Sequence, residues 1–155
     1  MARRAYFAFH YQRDIWRVNV VRNSNVVEGF ESAGFLDSSL LEEARKNGDE
    51  AIKRLINDGL KGTSVTVVLI GAETSEREYV EYEIEKSWER GNGLIGVYIH
   101  NIEDRYGYKD SKGSNPFDGK YTGIKTYDWL LDDGYENIGD WVDAAVERAK
   151  RRSTA

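Results

Sequence analysis

The sequence contains no cysteine, a single proline and only two histidines, His10 and His100, among its 155 residues. The lack of cysteine excludes a disulfide scaffold, a cysteine nucleophile and a site in which cysteine binds zinc or an iron–sulfur cluster. It fits the reducing cytoplasm, where we expect the protein to reside. Two histidines are too few for a three-histidine metal site within one chain, and we predict no metal site.

Long apolar runs and an excess of positive charge are also missing. No uninterrupted apolar segment approaches the ~20 residues that a membrane-spanning helix needs, and no apolar signal-peptide core follows Met1-Ala2-Arg3-Arg4. The 22 Lys and Arg residues are outnumbered by 27 Asp and Glu residues, which gives a formal net charge of −5. We therefore expect no membrane partner and no nucleic-acid partner, since non-specific nucleic-acid binding relies on a cationic surface.

The order of apolar patterns along the chain predicts the fold class. With no linker, repeat or low-complexity tract, we predict a single domain over residues 1–155. Short, nearly continuous apolar runs typical of buried strands cover residues 5–9, 64–70 and 94–99, and a short edge strand is predicted at 123–126. Because these strands alternate with helical patterns, we predict a doubly wound α/β fold with a parallel sheet flanked by helices. Ligands of such sheets bind beyond the carboxyl ends of the strands.

Capping residues set the predicted ends of the helices. The first helix is expected at residues 15–23 with Asp14 as N-cap, and the third runs from Asp49 as N-cap to Gly59 as C′ residue. Capping boxes start two further helices: Ser39 to Glu42 begins the helix at 39–46, and Ser75 to Glu78 begins the helix at 76–90. A last helix is expected at residues 137–152. The polar stretch from Glu103 to Lys120 is long for a loop in a compact domain, and loops of this kind are often functional.

The pattern Gly91-Asn92-Gly93-Leu94-Ile95-Gly96 matches the GxGxxG motif of dinucleotide-binding domains. That motif has to follow a strand and begin a helix, so that the phosphates meet the helix N-terminus. Here it follows a predicted helix and begins a predicted strand. We therefore interpret the match as a false positive for a dinucleotide-binding motif.

The predicted helix at residues 76–90 carries two parallel rows of side chains: Val80, Ile84 and Trp88 form the apolar row, and Tyr79, Glu83 and Ser87 lie beside it. Glu83 is placed at the rim of the buried face, one turn after Tyr79, and is expected to lean back towards it. We expect the carboxylate to be partly desolvated and close to the carboxyl edge of the sheet. Glu83 then either pairs with an arginine or caps a loop, or it serves as a functional carboxylate in a cleft.

One carboxylate without a metal, a cysteine or a second acid suits the cleavage of the N-glycosidic bond to a cationic nicotinamide. Nicotinamide leaves as a neutral base, so the reaction needs no general acid. Its transition state resembles an oxocarbenium ion, as in other glycoside cleavages. A fixed carboxylate can stabilise that positive charge and hold the hydroxyls of the ribose.

Four segments of the chain carry a family resemblance: Phe7-Ala8-Phe9-His10-Tyr11 with Asp14-Ile15-Trp16-Arg17; Val21-Arg22-Asn23-Ser24; Val67-Val68-Leu69-Ile70-Gly71; and Tyr79-Val80-Glu81-Tyr82-Glu83-Ile84, which runs on to Gly93-Leu94-Ile95-Gly96-Val97-Tyr98-Ile99-His100. In their order and spacing these segments resemble the TIR-like family of bacterial and archaeal proteins, in particular the TIR subunit of Thoeris anti-phage systems. The resemblance covers about residues 4–129.

The resemblance implies a flavodoxin-like fold and an activity on NAD, which would be a substrate, with no cofactor. The family cleaves NAD, releases nicotinamide and forms a cyclic ADP-ribose isomer that activates a partner effector protein in infected cells. Activity in the family can depend on an infection trigger or on self-assembly, which leaves a homo-oligomer open. The sequence does not identify the isomer or the balance between cyclisation and hydrolysis.

The resemblance also assigns site residues. Glu83 matches the catalytic glutamate of the family, and Tyr79 stands where the family usually has tryptophan. Phe9 and His10 lie in the region after the first strand that helps to form the nucleotide pocket, and Asp37 is a further candidate. Each has a structural alternative: Phe9 can be core, His10 can bond a backbone carbonyl, and Asp37 can cap a helix. The alternative function is a non-catalytic TIR-like module for protein interaction or nucleotide binding.

Overall fold

A single parallel sheet forms the centre of the molecule in a computed structural model that describes residues 3–23, 30–32 and 43–154. Its strands are β1 (Arg3–Ala8), β2 (Phe30–Ser32), β3 (Val65–Ile70), β4 (Gly93–Tyr98) and β5 (Lys125–Asp128). They are arranged in the order β2-β1-β3-β4-β5, and every adjacent pair is parallel. This confirms the predicted α/β fold, with the strand order of flavodoxin-like sheets.

The strands predicted from apolar runs are confirmed within two residues at each end. Every residue of β3 and of β4 is buried, which explains why these two central strands read as continuous apolar runs. The sequence did not predict β2, because three residues are too few to show a period of two.

Helices cover both faces of the sheet. They are α1 (Tyr11–Asn23), α2 (Asp49–Leu60), α3 (Glu78–Glu89) and α4 (Gly134–Thr154), and residues 43–46 are also helical. The buried residues of α1 and α4 pack on one face of the sheet, and those of α2 and α3 pack on the other. The fold is therefore doubly wound, as predicted. Among the helices described, none is long and apolar enough to cross a membrane.

Several predicted helix ends were wrong. The first helix begins at Tyr11, so Asp14 lies inside its first turn and is not the N-cap. The N-cap of α2 is Gly48, and the carboxylate of Asp49 instead pairs with Lys53 at 3.2 Å. Gly59 lies inside α2, whose C-cap is Lys61. The capping box predicted from Ser39 to Glu42 lies outside the described residues.

The start of α3 also differs from the prediction. Residues Thr74–Glu76 form a 3₁₀ turn, and α3 begins at Glu78 with Arg77 as an N-cap that makes no side-chain capping hydrogen bond. The reason is the buried hydroxyl of Thr74, which accepts a hydrogen bond from the backbone N–H of Gly71 at 2.8 Å. This bond ties the turn to the end of β3, and the helix starts only after it. At the other end of the chain, α4 begins at Gly134, three residues before the predicted start.

The glycines of the GxGxxG pattern are explained by turning and packing. Gly91 has a φ of 87°, a left-handed conformation that favours glycine in the turn after α3. A Cβ on Gly93 would lie 2.5 Å from the carbonyl oxygen of Ala145 in α4. A Cβ on Gly96 would lie 2.8 Å from Ile70. Backbone turning and close packing therefore account for glycine at these three positions.

The polar stretch after β4 is held across the carboxyl edge of the sheet. The backbone N–H of Asp110 donates to the carbonyl of His100 at 2.8 Å. From α1, the Nε of Arg17 donates to the carbonyl of Ile102 at 2.7 Å, and Arg13 pairs with Asp110 at 2.9 Å. The stretch therefore occupies part of the edge at which ligands of such sheets usually bind.

Candidate active site

Glu83 is buried between α3 and the sheet. Its side chain is 6% exposed, and the fully buried hydroxyl of Tyr6, in the middle of β1, donates a hydrogen bond to its Oε2. We expected a half-buried carboxylate that leans towards Tyr79 at the carboxyl edge. The burial is deeper than expected, and the hydrogen-bond donor comes from the middle of a strand 77 residues away in the sequence.

Burial controls the charge of this carboxyl group. Loss of hydration raises the pKa of Glu83 to about 8, while the hydrogen bond from Tyr6 and the positive charge of Arg77 act in the opposite direction. Burial and the neighbouring Glu83 together hold the pKa of Tyr6 well above its ordinary value. At pH 7 the carboxyl of Glu83 is therefore mostly protonated, in contrast to an exposed glutamate.

A cavity of about 330 Å³ lies at the N-terminal end of α3, on the side of Glu83 from which the helix starts. Its lining residues are Arg45, Ile52, Glu76, Arg77 and Tyr79. Tyr79 lies one turn before Glu83 on the helix, and its hydroxyl donates to Oδ1 of Asp49 at 2.7 Å. The cavity thus combines an aromatic ring, two arginines and the acid Glu76, and Glu83 lies one helical turn further along α3, behind this lining.

The other predicted site residues lie at different places. His10 follows β1 and is half-buried, and its Nδ1 accepts a hydrogen bond from the backbone N–H of Arg13 at 3.3 Å. Burial and the positive charge of Arg77 lower the pKa of His10. Phe9 packs against the hydrophobic cluster on the face of the sheet covered by α1 and α4, opposite to Glu83. Asp37 lies outside the described residues.

Sequence reasoning missed Tyr6 and Arg77, although Arg77 acts electrostatically on both Glu83 and His10. The signal for Tyr6 was its polar hydroxyl within an otherwise apolar strand, because a buried phenol needs a hydrogen-bond partner. Arg77 immediately precedes the helix, and nothing in its local pattern separates it from an ordinary exposed arginine.

A second buried acid, Asp14, was also missed. It is fully buried in α1, and its Oδ2 accepts a long hydrogen bond of 3.4 Å from Thr74. Its Oδ1 has no hydrogen-bond partner within residues 3–23, 30–32 and 43–154. Burial raises its pKa to about 6, against the opposing charge of Arg13. Its spacing with Val18 and Val21 was the available signal, since residues i, i+4 and i+7 share one helix face.

The chemistry of the site follows from the protonated carboxyl and the adjacent positive charges. In the part of the chain that is described, no group of three or more acidic or histidine side chains could hold a metal ion. A cationic group that entered beside Glu83 would favour the carboxylate form, because an opposite charge lowers the pKa of an acid. The two arginines of the cavity can bind phosphate or carboxylate groups.

Comparison with known proteins places the chain in a family. The family model described as "Thoeris protein ThsB, TIR-like domain" matches residues 6–104. A protein of Bacillus cereus (strain MSX-D12), named "Putative cyclic ADP-D-ribose synthase ThsB1", is 41% identical over 192 aligned positions, which cover 92% of this chain and 100% of the relative. Together with the observed parallel sheet, these matches confirm the resemblance drawn from the sequence: the chain belongs to the Thoeris ThsB family of TIR-like proteins.

Proposed function

We propose that the chain cleaves NAD between the ribose and nicotinamide and cyclises the remainder to a cyclic ADP-ribose isomer. The name of the Bacillus cereus relative, "Putative cyclic ADP-D-ribose synthase ThsB1", supports this reaction class. The observation that carries the proposal is the buried carboxyl of Glu83, which lies one turn of α3 after Tyr79, a residue that lines the cavity together with Arg77. Buried carboxyl groups with raised pKa values next to cavities are typical of catalytic sites.

In the proposed reaction, the bond between C1′ of the ribose and the nicotinamide nitrogen breaks, and its electron pair stays on that nitrogen. Nicotinamide leaves as a neutral base and needs no proton. The carboxylate of Glu83 stabilises the positive charge that develops on the sugar. A nucleophilic atom of the same molecule then bonds to C1′ and closes the ring, with any proton it carries passing to solvent. Attack by water instead gives linear ADP-ribose.

The electrostatics of the site fit a cationic substrate. Glu83 is mostly protonated at pH 7, since its pKa is about 8. The positive nicotinamide ring would lower that pKa, so that the carboxylate forms when the substrate is in place. Arg45 and Arg77 would balance the negative diphosphate, and Tyr79 and His10 would contact the nucleotide. Phe9 and Asp37 remain predicted contacts on the strength of the family resemblance.

We further propose that the product is a signal that activates a partner effector protein in phage-infected cells. Membership of the Thoeris ThsB family supports this role. An infection trigger or self-assembly would then complete the site, in agreement with a carboxyl that is enclosed and protonated at rest.

The test compares wild type with Glu83→Gln and with Glu85→Gln, which removes an exposed acid from the same helix. Purified proteins are incubated with NAD, and nicotinamide release is measured by chromatography. We expect Glu83→Gln to lose activity at least about 100-fold, the range for removal of one electrostatic group from a catalytic site, and Glu85→Gln to match wild type. Equal activity of Glu83→Gln and wild type would exclude the catalytic role.

The same variants are tested in bacterial cells with and without phage, with the nucleotides identified by mass spectrometry. We expect a cyclic ADP-ribose isomer in infected cells that carry wild type or Glu85→Gln, and none with Glu83→Gln. Absence of the product from all cells, together with concentration-dependent self-association of the pure protein, would favour the non-catalytic interaction module.

A further inference from the structure

A second cavity, of about 380 Å³, lies where β4 begins and where α3 and α4 end. This is the amino edge of the parallel sheet, opposite to the edge over which the polar stretch folds. Three arginines of α4, Arg148, Arg151 and Arg152, contribute to its lining, and no described lining residue is acidic. In a chain with a formal net charge of −5, this is a local concentration of positive charge.

Arg152 is held in place by its neighbours. Its guanidinium lies 3.7 Å from the centroid of the Trp88 ring, and its Nη2 donates to the carbonyls of Trp88 and Asn92, each at 3.2 Å. A guanidinium fixed in this way loses little conformational entropy when it binds a further acceptor.

Arg148 has an unused donor. Its Nη2 is shielded from solvent and has no hydrogen-bond partner among the described residues. A buried donor without a partner costs free energy, and a rotation of the guanidinium that brings this donor to an acceptor bound in the cavity would recover it. The helix dipole does not account for this arginine, because it lies six residues before the end of α4 at Thr154 and the dipole acts within the last turn.

The walls of the cavity indicate the rest of the ligand. Leu94, Ile124 and Ala145 supply apolar surface beside the arginines, and the volume exceeds that of a bare anion. Guanidinium groups match phosphate oxygens in geometry and charge. We propose that this cavity binds an organic phosphate of the size of a sugar phosphate or a nucleoside monophosphate, with Arg148 as a direct phosphate ligand. The site is separate from the Glu83 cavity and does not depend on the NAD chemistry.

The experiment measures binding of adenosine monophosphate, ribose 5-phosphate and adenosine to the full chain by titration calorimetry. We expect both phosphates to bind and adenosine to bind at least tenfold more weakly than its monophosphate. Arg148→Gln should weaken phosphate binding at least tenfold. Lys150→Gln, which removes one positive charge from an exposed position of the same helix, should change it less than twofold. If Arg148→Gln does not fold, Arg148→Lys keeps the charge without the guanidinium fork and should weaken binding in the same direction.

A reciprocal variant separates the two cavities. Arg77→Gln alters the cavity beside Glu83, and we expect it to leave adenosine monophosphate binding at the second cavity unchanged. Loss of binding in Arg77→Gln with retention in Arg148→Gln would overturn the proposal and assign the phosphate to the Glu83 cavity. Equal losses of phosphate binding in Arg148→Gln and Lys150→Gln would also overturn the proposal. So would the absence of binding at 5 mM ligand, roughly the weak limit for a specific small-molecule site.

Discussion

At the scale of single residues, burial and the hydrogen bond from Tyr6 act in opposite directions on the pKa of Glu83, the candidate catalytic group. Burial raises the pKa of Glu83 to about 8, and the hydrogen bond from Tyr6 restrains that rise, because it stabilises the carboxylate more than the neutral acid. The tyrosine therefore acts as a positioning residue that makes ionisation of Glu83 easier near neutral pH.

Replacement of Tyr6 by phenylalanine should raise the pKa of Glu83 further. A hydrogen bond to a charged group is worth about 1.5–3 kcal/mol, so we expect an upward shift of about one unit or more. The measurement is a titration of the carboxyl carbon of Glu83 by NMR with ¹³C-labelled glutamate. Tyr82→Phe is the control, because the hydroxyl of Tyr82 bonds Asn57 on α2. A pKa of Glu83 that stays the same or falls in Tyr6→Phe would contradict this account.

The sequence predicted that Glu83 faces the protein interior, because helical periodicity is a local property. Its depth was not predictable, because it depends on Tyr6 in a strand that precedes it by 77 residues. Asp14 shows the opposite error: its residue type favours an N-cap, but its spacing with Val18 and Val21 places it on the buried face. Where residue type and periodicity disagreed, periodicity was the better guide.

At the scale of helices and strands, long periodic segments were predicted well and their ends were not. The three central strands follow from short continuous apolar runs, which are typical of strands buried on both faces. The start of α3 was missed because the bond between Thr74 and Gly71 fixes the turn, and such a bond requires the folded end of β3. Helix caps that depend on tertiary contacts are therefore beyond a local reading of the sequence.

The contact between β4 and α4 gives a testable prediction about packing. Gly93→Ala places a Cβ 2.5 Å from the backbone carbonyl oxygen of Ala145, and neither segment can move away without disturbing the sheet or the helix. We expect the free energy of unfolding to fall by about 2 kcal/mol or more, as for other overpacked cores. Urea denaturation followed by circular dichroism measures the change.

The matched control is Gly139→Ala, at a position inside α4 where a Cβ would meet no atom within 4 Å. Alanine favours the helix over glycine by up to about 1 kcal/mol, so this variant should be more stable than wild type. A Gly93→Ala protein as stable as wild type would show that α4 packs less closely on β4 than described.

At the scale of the whole molecule, the described part of each layer beside the sheet contains one buried acid. Glu83 lies in the layer of α2 and α3, and Asp14 lies in the layer of α1 and α4. Burial raises the pKa of both carboxyl groups, to about 8 and about 6 respectively. Because the folded state holds protons that the unfolded chain releases at lower pH, both groups link stability to pH with the same sign.

A carboxyl whose pKa is raised by folding contributes stability that is complete below the unfolded pKa and is lost as pH rises to the folded pKa. The neutral variants Glu83→Gln and Asp14→Asn remove this loss. Relative to wild type, each should gain about 1.4 kcal/mol of unfolding free energy per pH unit between its unfolded and folded pKa values. The gain of Asp14→Asn should begin near its ordinary pKa of 3.8 and level off above pH 6. The gain of Glu83→Gln should begin near its ordinary pKa of 4.5 and level off above pH 8. Urea denaturation at pH 4 to 9 measures both curves. In the double variant the two gains should add, because the groups lie on opposite faces of the sheet. If the difference in unfolding free energy between Glu83→Gln and wild type stayed constant from pH 5 to 8, Glu83 would be ionised throughout that range.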